Sequence, residues 1–472
     1  MSPGQNPGTD APDTRLIGFG RPSPAADLVP LRRGRTVLAT LVVLAGILLS
    51  PVTTVSVLLA LLLALNLAIT VFRTALAVAG LRSSARTQRP PALREDELPA
   101  YTVIVPLHDE ANVVPSLVRY LSRLDYPADR LEILLVCETR DDSTIDAVRV
   151  AIPDGRFRLV IVPNGEPQTK PRACNVALAQ AKGELCVIYD AEDRPDLGQL
   201  RLAAEVFAVS EPTVVCLQAR LDFYNQAHNW LTRSFTVDFA GWFDVFLPGL
   251  ATLGVAVPLG GTSNHFLVDR LKVLGGWDPY NVTEDADLGM RIYVAGTRTE
   301  MLDSTTFEEA CSQVPAWIRQ RTRWMKGYLQ TWLVHTRSPS FGKLPWYARY
   351  AFRGMVAGEP VAQALTAPLI ALSVGAAVLL LTGSSLLPTV VPVVVLAIML
   401  GSILLVIVTG AVSLRARRRP DLVTAVLTMP VYTLLASVAT YRAIWQLFRR
   451  PHHWEKTPHG LSGAETDPGR DN

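Results

Sequence analysis

Charge is scarce in this 472-residue chain: Asp, Glu, Lys and Arg make up 18% of it, against 49% hydrophobic residues and a mean hydropathy of +0.25. That balance excludes an ordinary water-soluble enzyme and makes a membrane protein the first expectation. Neither sign is in excess, since 45 Lys and Arg face 42 Asp and Glu, so nothing points to a nucleic-acid partner. Cysteine is equally sparse. Cys137, Cys174, Cys186, Cys216 and Cys311 fall without metal-ligand spacing, and all lie in the polar middle of the chain, as expected of a reducing, cytosolic domain. The first thirty residues lack an apolar core, which argues against a cleaved signal peptide; rich in Pro, Gly and Asp, they read as a disordered tail over residues 1–35.

Long apolar runs are what the chain does have. No charge interrupts Thr36 to Phe72, a run that as one helix would extend about 55 Å against a hydrocarbon core of about 30 Å. Ser50 and Pro51 supply a break, so residues 36–81 are expected to form two membrane helices joined by a tight outer turn. Arg32, Arg33 and Arg35 before the pair and Arg73, Arg82 and Arg86 after it then lie on one face, which the positive-inside rule makes cytoplasmic. Residues 360–446 hold two to three further spans. The uncharged stretch Pro360 to Leu414 breaks around Thr382 to Pro388, Arg415 to Arg419 returns the chain to the cytosol, and Leu422 to Tyr441 is either a fifth span or, with Pro430 inside it, a re-entrant or interfacial segment. Residues 447–472 form a tail.

Between these blocks, residues 95–312 read as a soluble domain. Tyr101–Leu107, Leu131–Val136, Arg158–Val162 and Leu185–Tyr189 are short β-branched runs alternating with amphipathic stretches such as Asn112–Leu124 and Arg172–Ala181, the pattern of an α/β fold with a parallel sheet covered by helices on both faces. Ligands bind beyond the carboxyl ends of such strands. The residues there are acidic: His108, Asp109 and Glu110; Glu138, Asp141 and Asp142; Asp190, Glu192 and Asp193. Gathered carboxylates repel one another unless a cation compensates them, and Mg2+ or Mn2+ carrying a diphosphate is the simplest compensator. The alternative for Asp109, Asp142 and Asp193 is helix capping.

Thr283, Glu284 and Asp285 follow in VTEDADLGMR, and QRTRW sets Gln320, Arg323 and Trp324 at offsets that share one helix face. An amide, a guanidinium and an indole so grouped suit a departing diphosphate and a sugar ring. Taken alone, QRTRW better suits an amphipathic interfacial helix with Arg319, Arg321, Arg323 and Lys326 snorkelling to the surface, and residues 313–358 are expected to hold such interface helices.

Taken in order, PLHDE, LLVCETRDDST, TKPRACNVAL, YDAED, PLGGTSNHF, VTEDADLGMR and QRTRW resemble the membrane-embedded family 2 glycosyltransferases that include the cellulose, chitin, hyaluronan and poly-N-acetylglucosamine synthases. The resemblance covers roughly residues 100 to 335 and implies a GT-A (Rossmann-like) cytosolic domain between flanking membrane helices. By the same resemblance Pro106, His108 and Glu110, with an acid at the end of the second strand, line the nucleotide pocket. That acid is Glu138, Asp141 or Asp142, and Glu138 is favoured because it follows the strand directly. Lys170 approaches the nucleotide or its phosphates. Asp190 and Glu192 take the DxD positions, with Asp193 as the alternative to Glu192 at the metal. Asp285 is the general base, flanked by Thr283 and Glu284, while Gln320, Arg323 and Trp324 hold the donor diphosphate and the acceptor's terminal sugar. Gly260, Gly261, Thr262 and Ser263 shape the sugar pocket.

The reaction so implied is an inverting transfer from a nucleotide sugar, with a UDP-sugar first in view, that elongates a β-linked polysaccharide and threads it between the helices. Four or five spans are few for a pore, so that reading calls for a homo-oligomer or an accessory secretion subunit. A second reading transfers one sugar to a polyprenyl phosphate or glycolipid. A third keeps the fold as a non-catalytic membrane scaffold. In each, the lipid bilayer of the inner or plasma membrane is a partner and the catalytic domain is cytoplasmic.

Overall fold

The computed structural model describes residues 23–26, 28, 41–46, 48–84, 90–383 and 390–451. Residues 41–46 and 48–49 are helical, and Ser50 separates them from α1, Pro51–Ser84. There follow β1 Tyr101–Leu107, α2 Val114–Leu121, β2 Leu131–Glu138, α3 Asp142–Ala151, β3 Phe157–Val162, α4 Lys170–Gln180, β4 Leu185–Ile188 and β5 Arg194–Pro195. The next group is α5 Gln199–Val209, β6 Val214–Phe223, α6 Trp230–Gly241, α7 Leu247–Thr252, β7 Asn264–Leu267, α8 Val268–Leu274, α9 Glu284–Val294 and β8 Arg298–Glu308. The chain closes with α10 Val314–Arg337, α11 Pro339–Lys343, α12 Trp346–Phe352, α13 Gly358–Leu381, α14 Val390–Ala416 and α15 Met429–Arg449.

The eight strands form one sheet in the order β3-β2-β1-β4-β7-β6-β8-β5. The four β-branched runs pair in parallel, with Tyr101 opposite both Leu131 and Leu185. Beyond β4 the sheet departs from the all-parallel expectation: β7 runs antiparallel to β4 and β6, and β5 antiparallel to β8. Two helices, α6 and α7, lie between β6 and β7, and the chain returns from them to pair β7 antiparallel between β4 and β6. Alternation along β1 sends Val103 and Val105 into a core under α2, α3 and α5, and Ile104 into a second core under α4, α8 and α9. All five cysteines are buried and free.

Among the described residues, four segments are long and apolar enough to cross a membrane: Ser56–Arg82, Trp346–Leu381, Val390–Ala416 and Pro420–Arg449. Pro430 does not interrupt the last of them. It sits in the first turn of α15, where the N–H it lacks would have no partner anyway. A third core runs from Phe72 and Leu76 on α1 through Phe235 and Phe239 on α6 to Tyr432 and Ala436 on α15, so the sheet domain and the apolar helices share one interior. Contact between α1 and α7, with the π-helical turn Trp242–Phe246 that leads into it, is backbone to backbone: a Cβ on Gly80 would lie 2.1 Å from the Val245 carbonyl oxygen, and one on Gly249 would lie 2.3 Å from that of Leu76. Only residues without a side chain permit that approach.

Three basic residues expected at the surface are internal. Arg417, within the cluster that reads as a topology signal, is 9% exposed and pairs with Asp222 at 3.0 Å and with Asp244, tying the end of α14 to the sheet. On α10, Arg321 and Lys326 are buried, so the snorkelling arrangement fails there: Arg321 pairs with Asp238, and Lys326 donates to the Arg450 carbonyl at 3.4 Å. Of the N-terminal tail expected to be disordered, residues 1–22 and 29–35 lie outside the described residues. Ala25 and Leu28, however, pack on Leu333, Val334 and Leu447, and Ser23 Oγ donates to Asp278 at 2.7 Å. Residues 452–472 of the C-terminal tail also lie outside the described residues.

Candidate functional site

The carboxyl ends of β1, β2 and β4, the loop before β7, the N-terminus of α9 and the middle of α10 surround one cavity of about 440 Å3. Its wall includes Pro106, His108, Glu110, Glu138, Lys170, Asp190, Glu192, Gly260, Gly261, Thr262, Thr283, Glu284, Asp285, Gln320, Arg323 and Trp324, whereas Asp109, Asp141, Asp142, Asp193 and Ser263, also singled out from the sequence, are not part of it. Asp190 and Asp285, ninety-five positions apart, open onto the same space.

On one wall β1 ends in His108 and Asp109, and Asp109 adopts φ 53°, a backbone region that a non-glycine residue seldom takes and that recurs beside functional sites. Asp109 is no helix cap, because α2 begins only at Val114 with Val113 before it. Capping falls instead to Asp141, whose carboxylate accepts the N–H of Thr144 at 3.2 Å and that of Asp109 at 2.6 Å. Those donors outweigh burial and hold Asp141 below the usual carboxylate range. Of the three acids open to choice after β2, Glu138 is the one on the cavity wall, with Arg172 at 3.7 Å. His108, Asp109 and Asp141 also place one ligand atom each within 4.8 Å of one another.

At the centre, Lys170 opens α4 and its Nζ binds Asp190 and the Gly261 carbonyl, the latter at 2.9 Å. Burial opposes its charge, yet Asp190 and Glu284 more than offset this and keep it protonated. Asp193 is not a cap either. It is buried beneath the wall, where one oxygen accepts the Asp190 N–H at 2.7 Å and the Thr262 hydroxyl. Its other oxygen, Oδ1, is buried without a partner, as is Oε1 of Glu308 at the end of β8. Both acids are pushed far up, first by burial and then by neighbouring carboxylates, Asp190 and Glu192 for Asp193 and Asp193 ahead of Glu192 and Asp190 for Glu308. Asp190, Glu192 and Glu308 thus bring to this wall hard oxygen ligands of the kind a divalent cation takes, although among the described residues only His108, Asp109 and Asp141 converge within 4.8 Å. Asp190, Glu192 and Glu308, supported by Asp193, are the residues that would hold it.

Opposite, Glu284 and Asp285 start α9, and Asp285 keeps an edge to the cavity while accepting the Ala286 N–H at 2.8 Å. Burial raises Asp285 from 3.8 to about 6, against the pull of Lys170 and Arg323. Burial and the charge of Asp285 raise Glu284 to about 7. α10 lies directly against this turn because it carries Gly327 there; a Cβ on that residue would come within 2.3 Å of Thr283.

Sequence reasoning missed several participants. Glu308 was findable by the same strand-end rule, had β8 been recognised. Arg321 stands among the rings of Phe235, Trp317, Trp324 and Tyr432, 4.9–5.6 Å from their centroids, and so fixes Trp324 while pairing with Asp238. Trp242 and Tyr328, stacked at 6.1 Å, and Glu359 at the start of α13 complete the far end of the cavity. Nothing in the sequence connects these positions, which only the packing of α6, α10 and α13 brings together.

The family described as Glycosyl transferase family group 2 matches residues 185–437, and Glycosyl transferase family 2 matches residues 102–259. The probable glycosyltransferase YdaM of Bacillus subtilis is 26% identical over 245 residues, 50% of this chain and 57% of that protein. The beta-monoglucosyldiacylglycerol synthase of Synechocystis is 29% identical over 261 residues, 53% of each. The chain thus spans about half the length of the curated relatives it matches. A mannosyltransferase from Pyrobaculum calidifontis, solved in complex with GDP-Man and Mn2+, superposes with a TM-score of 0.50 at 21% identity, over 80% of this chain and 99% of that one. That likeness is one of fold.

Proposed function

The chain belongs to glycosyl transferase family group 2 and has the GT-A fold, and on that premise we propose that it is a hexosyltransferase, transferring a hexosyl group with inversion from a nucleoside diphosphate sugar to a hydroxyl presented at the membrane face. The observation that carries this is the single cavity that joins Lys170, Asp190, Asp285 and Arg323.

A sugar hydroxyl is a weak nucleophile, and a carboxylate within reach takes its proton as attack proceeds. Asp285 has the exposure and the raised affinity for a proton that this work needs. As the anomeric carbon–oxygen bond to the diphosphate breaks and the bond to the acceptor oxygen forms, negative charge moves onto the diphosphate. Arg323 and Lys170 face that charge in a site shielded from bulk water, where fixed cations stabilise it most. A divalent cation at Asp190 and Glu192, Mg2+ or Mn2+, would supply further charge for the diphosphate oxygens. Gly261 and Thr262 leave room beside Asp285 for the sugar ring. One displacement inverts the anomeric centre, so an α-linked donor yields a β-linked product.

On this reading the sheet domain faces the cytoplasmic side of the plasma or inner membrane, a side that its five free, buried cysteines and Arg82 and Arg415 at the ends of α1 and α14 support. Incubating the purified chain with radiolabelled UDP-glucose, UDP-N-acetylglucosamine or GDP-mannose and Mn2+ or Mg2+ tests the reading. Release of nucleoside diphosphate from at least one donor is expected; inertness toward all of them would return the chain to the scaffold reading. Elongation of a polysaccharide is the second reading, favoured by Gln320, Arg323 and Trp324 sharing the wall with Asp285. A product-length assay in liposomes distinguishes it from single transfer.

A further inference from the structure

We infer that the acceptor is the uncharged hydroxyl of a membrane-lipid headgroup, and that acids at the far end of the cavity exclude lipids that carry a phosphate there. This inference rests on the transfer reaction proposed above and specifies its second substrate.

The depth of the cavity is the first argument. Among the described residues of α1, α13, α14 and α15, only Glu359 contributes to the cavity wall, and it is the second residue of α13. The cavity therefore reaches the start of the apolar helices and does not run between them, as a path for a polymer would. The level of that end is marked from outside. On α12, one turn before α13, Trp346 is 73% exposed and Tyr347 and Tyr350 about half exposed. Tyr350 packs edge-on to Phe72 of α1 at 5.7 Å, and the next residue, Arg73, is the partner of Glu359. Exposed Trp and Tyr gathered at one level mark the headgroup layer of a bilayer. A hydroxyl at that depth faces the end of the cavity that leads to Asp285.

Charge is the second argument. The ionised groups at this end come as matched pairs, Asp238 with Arg321 and Glu359 with Arg73. Glu359 also accepts from Gln363 at 2.5 Å. Both acids are on the cavity wall, as is Arg321, already engaged by Asp238, and Glu284 and Asp285 line the same space. Arg323 lies toward the donor side, where it feels the charges of Glu284, Asp285 and Asp190. A phosphomonoester brought to Asp285 from the membrane would meet two acids whose cations are already engaged, and like charges across an interface weaken binding steeply. A neutral alcohol meets the same oxygens as acceptors for its O–H. The stacked faces of Trp242 and Tyr328 give the carbon-bound hydrogens of a glycerol or sugar headgroup an apolar platform.

The test uses the full chain in mixed micelles with whichever labelled donor supports acceptor-independent release of nucleoside diphosphate. Four acceptors are compared: diacylglycerol, a monoglycosyl diacylglycerol, a long-chain polyprenyl phosphate and a soluble β-linked oligosaccharide. Label is expected in the organic phase with one or both neutral lipids, and the two arms tell a bare glycerol hydroxyl from a sugar hydroxyl. The polyprenyl phosphate is expected to yield less by about tenfold or more. Equal or better transfer to the polyprenyl phosphate, or extension of the oligosaccharide alone, overturns the inference. Donor release without product on either neutral lipid also overturns it while leaving the transfer reading in place, whereas no release with any donor removes that reading itself. A second measurement isolates the charge: dodecyl phosphate is expected to leave wild-type transfer unaffected and to inhibit Glu359→Gln, in which Arg73 has lost its partner. An equal inhibition constant in both proteins would show that Glu359 is not the excluding group.

Discussion

Replacing Asp285 by asparagine keeps the shape of the turn at the start of α9 and removes the atom that takes the proton. General-base catalysis of this kind contributes about 10²–10⁴ in rate, so Asp285→Asn is expected to lose that much in kcat, about 3–5 kcal/mol of barrier. Nucleoside diphosphate affinity should stay within about threefold, because Lys170 and Arg323 are untouched. The wild-type pH profile gives a second, independent reading of the same group. A base works only when deprotonated, so kcat/KM must fall as pH drops through its pKa. With Asp285 raised from 3.8 to about 6 by burial, roughly nine-tenths of it would be protonated at pH 5, whereas at its ordinary value roughly nine-tenths would be ionised. A loss of about tenfold between pH 7.5 and pH 5 is therefore expected, with the acid limb between 6 and 7 if the neighbouring Glu284, raised to about 7, must also be ionised. Initial rates of nucleoside diphosphate release across this range decide it. A flat profile down to pH 5, or an asparagine variant with more than about a tenth of wild-type kcat, would refute the assignment of the base.

Lys170→Met removes the ammonium between Asp190 and the Gly261 carbonyl; a charge-assisted contact of about 1.5–3 kcal/mol predicts a roughly 10- to 150-fold weaker nucleoside diphosphate affinity by calorimetry. Chelation by EDTA should reduce transfer to background, with recovery on adding Mn2+ or Mg2+, and Glu308→Gln should raise the Mn2+ concentration needed for half recovery. Arg417→Ala leaves Asp222 and Asp244 buried with their main cation gone. A loss of about 3–5 kcal/mol is expected, seen as a lower unfolding midpoint in detergent.

The four β-branched runs were legible because each is short, apolar and followed by acids, and the sequence pattern gives β1 to β4 within a residue at most ends. The antiparallel part of the sheet was not, because β7 and β8 mix polar residues such as Asn264, His265, Ser304 and Thr306 into their buried positions. Most of their polar groups find partners: Ser263 donates to Thr306 at 2.7 Å, and the hydroxyl of Tyr101 meets the ring of His265 at 2.5 Å. A buried polar network hides a strand from any reading that looks for hydrophobic alternation. The site was legible where chemistry is local, in Asp190 with Glu192 and in Thr283 to Asp285. It was opaque where packing makes the chemistry: Glu359, Trp242 and Tyr328 reach the cavity from three helices that no spacing rule connects. Capping illustrates the same limit, since Asp141 and its neighbour Asp142 look alike in sequence and differ only in which carboxylate meets the Thr144 N–H.

The crossing of α1 and α7 leaves no room for the two helices to slide. With Gly80 set on the Val245 carbonyl and Gly249 on that of Leu76, the sheet domain is fixed to the first spanning helix at a set height, like the gauge on a carpenter's plane. Asp285 then stands at a constant distance from the bilayer surface, and a thicker or thinner membrane must tilt the whole molecule rather than move the domain alone. Reach toward the lipid surface would thus be set by bilayer thickness, and even a methyl group at either glycine would reset it.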